Sequence, residues 1–90
     1  MTKDQIKAVV LRIISSIAPE ADFSQIQPDA PLRDQLDIDS MDFLNFAIAL
    51  HKELDTEIPE VDYPELATLN GCVDYLKRVQ DGAQRAGGGL

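Results

Sequence analysis

The sequence predicts an all-α fold of four helices with a long loop between the first and second and a short third helix. Apolar residues recur at three- and four-residue spacing, no stretch alternates as a half-buried strand does, and prolines and capping residues fall where helices begin. Ile6, Val9, Val10, Ile13, Ile14 and Ile17 fill one arc of about 140° at 100° per residue, which predicts a first helix over Lys3 to Ile17. Pro19 follows it, and no further strong helix starts before Ser40, so the connection is longer than compact domains usually carry. Phe23, Ile26, Leu32, Leu36 and Ile38 are the expected anchors of that loop. Pro31 through Leu36 reads as a helical turn with the proline at its first position.

The second helix, Ser40 to about Leu54, carries two apolar stripes. Phe43, Phe46, Ala47, Leu50 and Leu54 share one face and are expected in the core; Met41, Leu44 and Ile48 lie on another arc, near Ser40. The second stripe fits either a partner surface or burial on two sides. Ile58-Pro59 closes the next loop, Pro64 opens a short third helix through about Ala67, and Thr68 caps a fourth. Leu69, Cys72, Val73, Leu76 and Val79 form its apolar face, with Gly71 reserved for close helix contact at a cost of about 1 kcal/mol. Residues 1–81 are expected to form one domain, and 82–90, rich in glycine, a disordered tail.

Ninety residues suffice for a single core. A formal charge of −8 and a pI near 4.3 argue against nucleic acid and anionic membranes as partners and favour basic surfaces. One cysteine, Cys72, and one histidine, His51, leave too few ligands for a usual metal site and no internal disulfide, so no metal and a reducing, cytoplasmic setting are expected. Lys3 and Lys7 precede an apolar run, but Asp4 and Arg12 interrupt it and no small-residue cleavage site follows, unlike a signal peptide. No stretch reaches the ~20 apolar residues of a membrane span.

Ser40 carries the chemical interest. A serine at a helix start commonly caps backbone amides. Asp39 competes for that role, because Asp39 with Asp42 three residues on approximates a capping box. With Asp39 as the cap, Ser40 stands at the first helical position with a free hydroxyl, where an attached phosphodiester meets unpaired amides and the positive end of the helix dipole. Asp37, Asp39 and Asp42 offset part of that benefit and attract the magnesium that phosphoryl-transfer enzymes use. Local chemistry alone leaves capping the commoner role.

Leu36-Asp37-Ile38-Asp39-Ser40-Met41-Asp42, followed by Leu54-Asp55-Thr56-Glu57-Ile58-Pro59 and Val73-Asp74-Tyr75-Leu76, resembles the acyl carrier protein family across the chain up to Val79. The resemblance implies a four-helix bundle that carries substrates and catalyses nothing. It implies that a phosphopantetheinyl transferase esterifies Ser40 with 4′-phosphopantetheine, that Asp39 contacts the transferase or its magnesium, and that acyl groups ride the arm as thioesters in fatty acid, lipid or polyketide-type biosynthesis. A tethered substrate meets successive enzymes at high effective concentration. By the same resemblance Phe46, Leu50, Leu66, Cys72 and Val73 line an acyl pocket, narrowed by the large phenylalanines of the second helix.

Met41, Asp42, Leu44, Asn45, Ile48, His51 and Lys52 are the expected docking face for acyl-transfer or acyl-synthesis enzymes with basic surfaces, and the carrier is expected to be a monomer. Asn45, His51 and Lys52 stand where the family places acids, which implies weaker docking to general fatty-acid enzymes and dedicated partners. The contrasting classes are a small helical interaction module without the prosthetic group and an aminoacyl or peptidyl carrier, the latter disfavoured by Asp39 before the serine.

Other constellations fail. Ser40 and His51 lie about 16 Å apart along one helix, too far for a nucleophile and its base. Asp37, Asp39 and Asp42 lack the glycine and terminal glutamate of a calcium loop. Cys72 reads as a buried structural thiol and His51 as a solvated surface residue.

Overall fold

The computed structural model describes residues 1–82, and among them every regular element is helical. Helix α1 spans Lys3–Ile17 and starts on a full capping box: Thr2 Oγ1 accepts the Gln5 amide at 3.1 Å, and Gln5 Oε1 accepts the Thr2 amide at 2.8 Å. Its buried residues, Ile6, Val10, Ile13 and Ile14, belong to the predicted stripe, and α1 packs against both long helices that follow.

The connection contains a 3-10 turn at Phe23–Gln25, which hydropathy did not signal, and a short helix α2 at Leu32–Leu36. Pro31 caps α2 from outside its first turn, one residue before the predicted position. Leu32 and Leu36 are buried and Ile26 and Ile38 partly so, but Phe23 is 37% exposed and does not anchor the loop. Polar bonds do much of that holding. The Gln35 side chain accepts the Gln27 amide at 2.6 Å and donates to the Gln27 and Ala30 carbonyls, each at 2.9 Å. Leu32 N–H donates to Ala67 O at 2.8 Å and Asn70 N–H to Pro28 O at 3.0 Å, while the Asn70 side chain donates to Asp29 at 2.8 Å. These bonds satisfy backbone groups that a long loop would otherwise leave to water.

Helix α3 spans Ser40–Leu54, as the periodicity predicts, and ends on Asp55 in the left-handed region at φ 48°. The next element differs from expectation: a 3-10 helix covers Glu60–Leu66, with Pro59 as its cap and Pro64 inside it. Pro64 has no N–H to give, and the element is closed at its two ends by Asp62 N–H to Pro59 O at 2.9 Å and Ala67 N–H to Pro64 O at 3.2 Å. Helix α4, Leu69–Gln80, opens on Thr68, whose hydroxyl accepts the Gly71 amide at 3.0 Å. A Cβ on Gly71 would stand 2.8 Å from that hydroxyl and 3.2 Å from the Glu65 carbonyl oxygen, so the glycine admits the 3-10 helix against α4 as expected. Tyr75 is 1% exposed and its hydroxyl donates to Asp62 at 2.7 Å, a second tie between these two elements. Asp81 ends α4 and Gly82 follows in a turn; the expected tail otherwise lies outside the described residues.

Candidate functional site: the start of helix α3

The chain leaves α2 through Asp37, which adopts the left-handed conformation at φ 52° and ψ 45°. Aspartate tolerates this region better than β-branched or bulky residues do. Ile38 then tucks partly against the core, and Asp39, in extended conformation, takes the cap position of α3. Asp39 Oδ1 accepts the Asp42 amide at 2.8 Å, and Asp42 Oδ2 accepts the Asp39 amide at 3.4 Å. The capping box therefore forms with aspartate in both roles. Ser40 occupies the first helical position, exposed, and among the described residues its hydroxyl has no hydrogen-bond partner. Capping, the commoner role of such a serine, is taken by its neighbour.

The arrangement fits an attached phosphodiester. The hydroxyl is open to an enzyme, and the amides of Ser40 and Met41 lie in the first turn, where a helix leaves N–H groups without internal partners. Among the described residues no three His, Cys, Asp or Glu side chains come together as a metal-holding group.

A protein-family model described as "Phosphopantetheine attachment site" matches residues 6–76. An acyl carrier protein of Chlorobium phaeobacteroides is 35% identical over 77 residues, covering 84% of this chain and 96% of the relative. The chain belongs to the acyl carrier protein family. The mitochondrial acyl carrier protein of Saccharomyces cerevisiae is 30% identical over 84% of this chain and 63% of its own length. A solved acyl carrier protein from Enterococcus faecalis superposes with a TM-score of 0.74 at 28% identity, covering 88% of this chain and 99% of that one. Phosphopantetheine is thus the carrier's prosthetic group, and its fold is the family's helical bundle.

Around the serine, the second stripe of α3 faces solvent: Met41 is 62% and Ile48 40% exposed, with Leu44 half-buried between them. Burial on two sides does not occur. Asn45, His51 and Lys52 are exposed as well, and Asp42 is partly buried in its capping box. Glu53, one residue after Lys52, is drawn away toward α1: Arg12 Nη1 donates to its Oε1 at 3.1 Å. That hydrogen bond, and then the guanidinium charge, hold the Glu53 carboxyl below its ordinary range. The exposed stripe of α3 is therefore apolar at Met41 and Ile48, and the nearby Glu53 is paired with Arg12.

Phe46, Leu50, Leu66, Cys72 and Val73, the expected pocket residues, all sit in the core at 7% exposure or less. Of the five, Phe46 alone lines the apolar crevice that lies between α1, α2 and α3. Phe43, expected in the core, is only half-buried; it lines the same crevice as Phe46, and its position three residues after Ser40 puts it one turn along the same face. Burial pushes the Cys72 thiol up to about 12, consistent with a structural cysteine.

Proposed function

We propose that Ser40 is the attachment point of the arm, and that the chain acts as a monomeric cytoplasmic carrier, with residues 1–81 as its carrier domain and no catalysis of its own. One observation carries this reading: Asp39 and Asp42 close the capping box, which leaves the Ser40 hydroxyl exposed at the mouth of the helix. Asp39 holds the helix start in place and presents its second carboxylate oxygen toward a transferase or the magnesium that enzyme brings. The first-turn amides of α3 then face the phosphodiester. When attached, the arm supplies a terminal thiol on which acyl groups are held as thioesters.

Intact mass after incubation with a broad-specificity phosphopantetheinyl transferase and coenzyme A tests the assignment. The wild-type chain is expected to gain one arm, on the peptide that contains Ser40, and Ser40→Ala to gain none. An arm on the alanine variant, or an unmodified wild type, would refute it.

The partner face of the proposal comprises Met41, Asp42, Leu44, Asn45, Ile48, His51 and Lys52, with the apolar stripe as its centre. Long-range attraction to basic enzymes comes from the whole acidic molecule, but the face itself contributes little of it. This supports a dedicated set of acyl-transfer or acyl-synthesis partners. The triple variant Asn45→Glu, His51→Glu, Lys52→Glu should tighten binding to a ketosynthase with a basic docking surface by on the order of tenfold at low salt, since exposed pairs contribute about 0.2 to 1 kcal/mol each. Titration calorimetry at two ionic strengths checks this. An affinity unchanged by three added carboxylates would show that charge does not set partner choice.

A further inference from the structure

Phe43 borders two separate spaces. On its inner side lies the apolar crevice between α1, α2 and α3, with Ile14, Ala18, Leu32, Leu36 and Phe46 in its lining. That crevice offers only about 10 Å³, no more than a single water would need. On its outer side lies an open groove of about 270 Å³, lined by Pro31, Arg33, Phe43, Tyr63, Pro64 and Ala67. The ring is half-buried and tilted at 49° against Phe46, with centroids 5.9 Å apart, so a core side chain backs it.

Ser40 and Phe43 are neighbours on one helix face, at the i and i+3 positions. The ring therefore lies within reach of an arm attached to the serine, which can fold back along α3. Apolar carbons gain by leaving water, yet the inner crevice has no room for them while the ring stands in place. The outer groove begins at the same ring, and its far wall is held to α2 by the bond from Leu32 N–H to Ala67 O at 2.8 Å. Space and continuity with the site both favour the outer groove.

We propose that Phe43 is the residue that selects cargo: it closes the core to the acyl chain and lays the first carbons in the groove beside Tyr63 and Pro64, so that this carrier presents short acyl groups rather than burying long ones. The inference rests on Ser40 as the point of attachment. It makes Phe43 a specificity-determining residue, and the wall formed by Arg33 and Tyr63 the surface that the cargo touches.

The test loads the wild-type chain with acetyl, butyryl, octanoyl and dodecanoyl groups, using a phosphopantetheinyl transferase and the corresponding acyl-coenzyme A. Intact mass verifies loading before methyl NMR spectra are taken, so failure to load bears on Ser40 and the spectra bear on Phe43. In the wild type, shifts are expected at Ala67 and around Tyr63 and Arg33, with the methyls of Ile14, Leu32 and Leu36 unmoved at every length. Core methyls that move progressively with chain length in the wild type would overturn the proposal. In Phe43→Ala, or Phe43→Val if the alanine variant does not fold, the octanoyl and dodecanoyl forms should move those core methyls and slow thioester cleavage by hydroxylamine severalfold. Equal cleavage rates with silent core methyls in the variant would overturn it too. An arm that needs no loading uses benzene with the unloaded proteins: the variant is expected to take it up next to Ile14 and Leu36 and the wild type to exclude it, and uptake by both would again count against Phe43.

Discussion

Phe46→Ala should lower the unfolding free energy by about 3 to 5 kcal/mol, a large part of the 5 to 15 kcal/mol that holds a typical domain together. The side chain is 2% exposed, lies on the core face of α3 and backs the ring of Phe43. Truncation removes its transfer free energy and leaves a void that joins the neighbouring crevice. Ile14 and Leu36, which line the same space, are held by α1 and α2, so the hole has little freedom to collapse. Urea unfolding at 25 °C measures the loss as a lower midpoint at unchanged slope. A loss below about 1.5 kcal/mol would mean that the surrounding helices close in on the gap.

Stability should also fall steeply in alkali. Cys72 is completely buried, and burial raises its thiol from the usual 9.0 to about 12. The folded chain thus keeps the proton longer than the unfolded one does. The resulting stabilisation is fully present below pH 9 and is lost as the pH climbs toward 12, by up to roughly 4 kcal/mol at about 1.4 kcal/mol per unit. Tyr75 acts in the same direction: burial, and then the hydrogen bond to Asp62, raise its hydroxyl above the ordinary 10.0, so its contribution also disappears as the pH rises beyond that value. Urea midpoints measured between pH 7 and 11.5 should decline above 9, and Cys72→Ala should flatten part of that decline. A midpoint constant up to pH 11 in the wild type would contradict the burial argument. The same burial predicts that iodoacetamide at pH 8 alkylates Cys72 only as fast as the chain opens.

Much of this carrier is local in origin. The spans of α1 and α3 follow from apolar spacing and the start of α3 from Asp39, whose cap involves a residue three away; Thr2 caps α1 in the same local way, although spacing alone places that helix. Such signals survive in a one-dimensional reading because a helix satisfies its backbone within itself. The open hydroxyl of Ser40 was legible for the same reason, since Asp39 and Asp42 decide its freedom without help from any other element, whereas its chemical role was read from the resemblance of the surrounding residues and not from the cap. The loop was less legible. Phe23 looked like an anchor by hydropathy, whereas the holding is shared by Gln35 and Asn70, whose partners lie as far as 41 residues away. The 3-10 helix began four residues before the proline that suggested its start, because the tie of Tyr75 to Asp62 and the close approach of Glu65 to Gly71 shape it from α4.

The spans of α1 and α3, and the capping box that leaves the Ser40 hydroxyl open, were determined by the sequence alone, since neighbours a turn apart settle them. Which apolar stripe meets water, where Glu53 spends its charge, and whether Phe43 leaves room in the core were decided by the packed chain. Those three answers depend on how much space and which counter-charge distant segments bring to one place, and residue order does not contain that sum until the chain has folded.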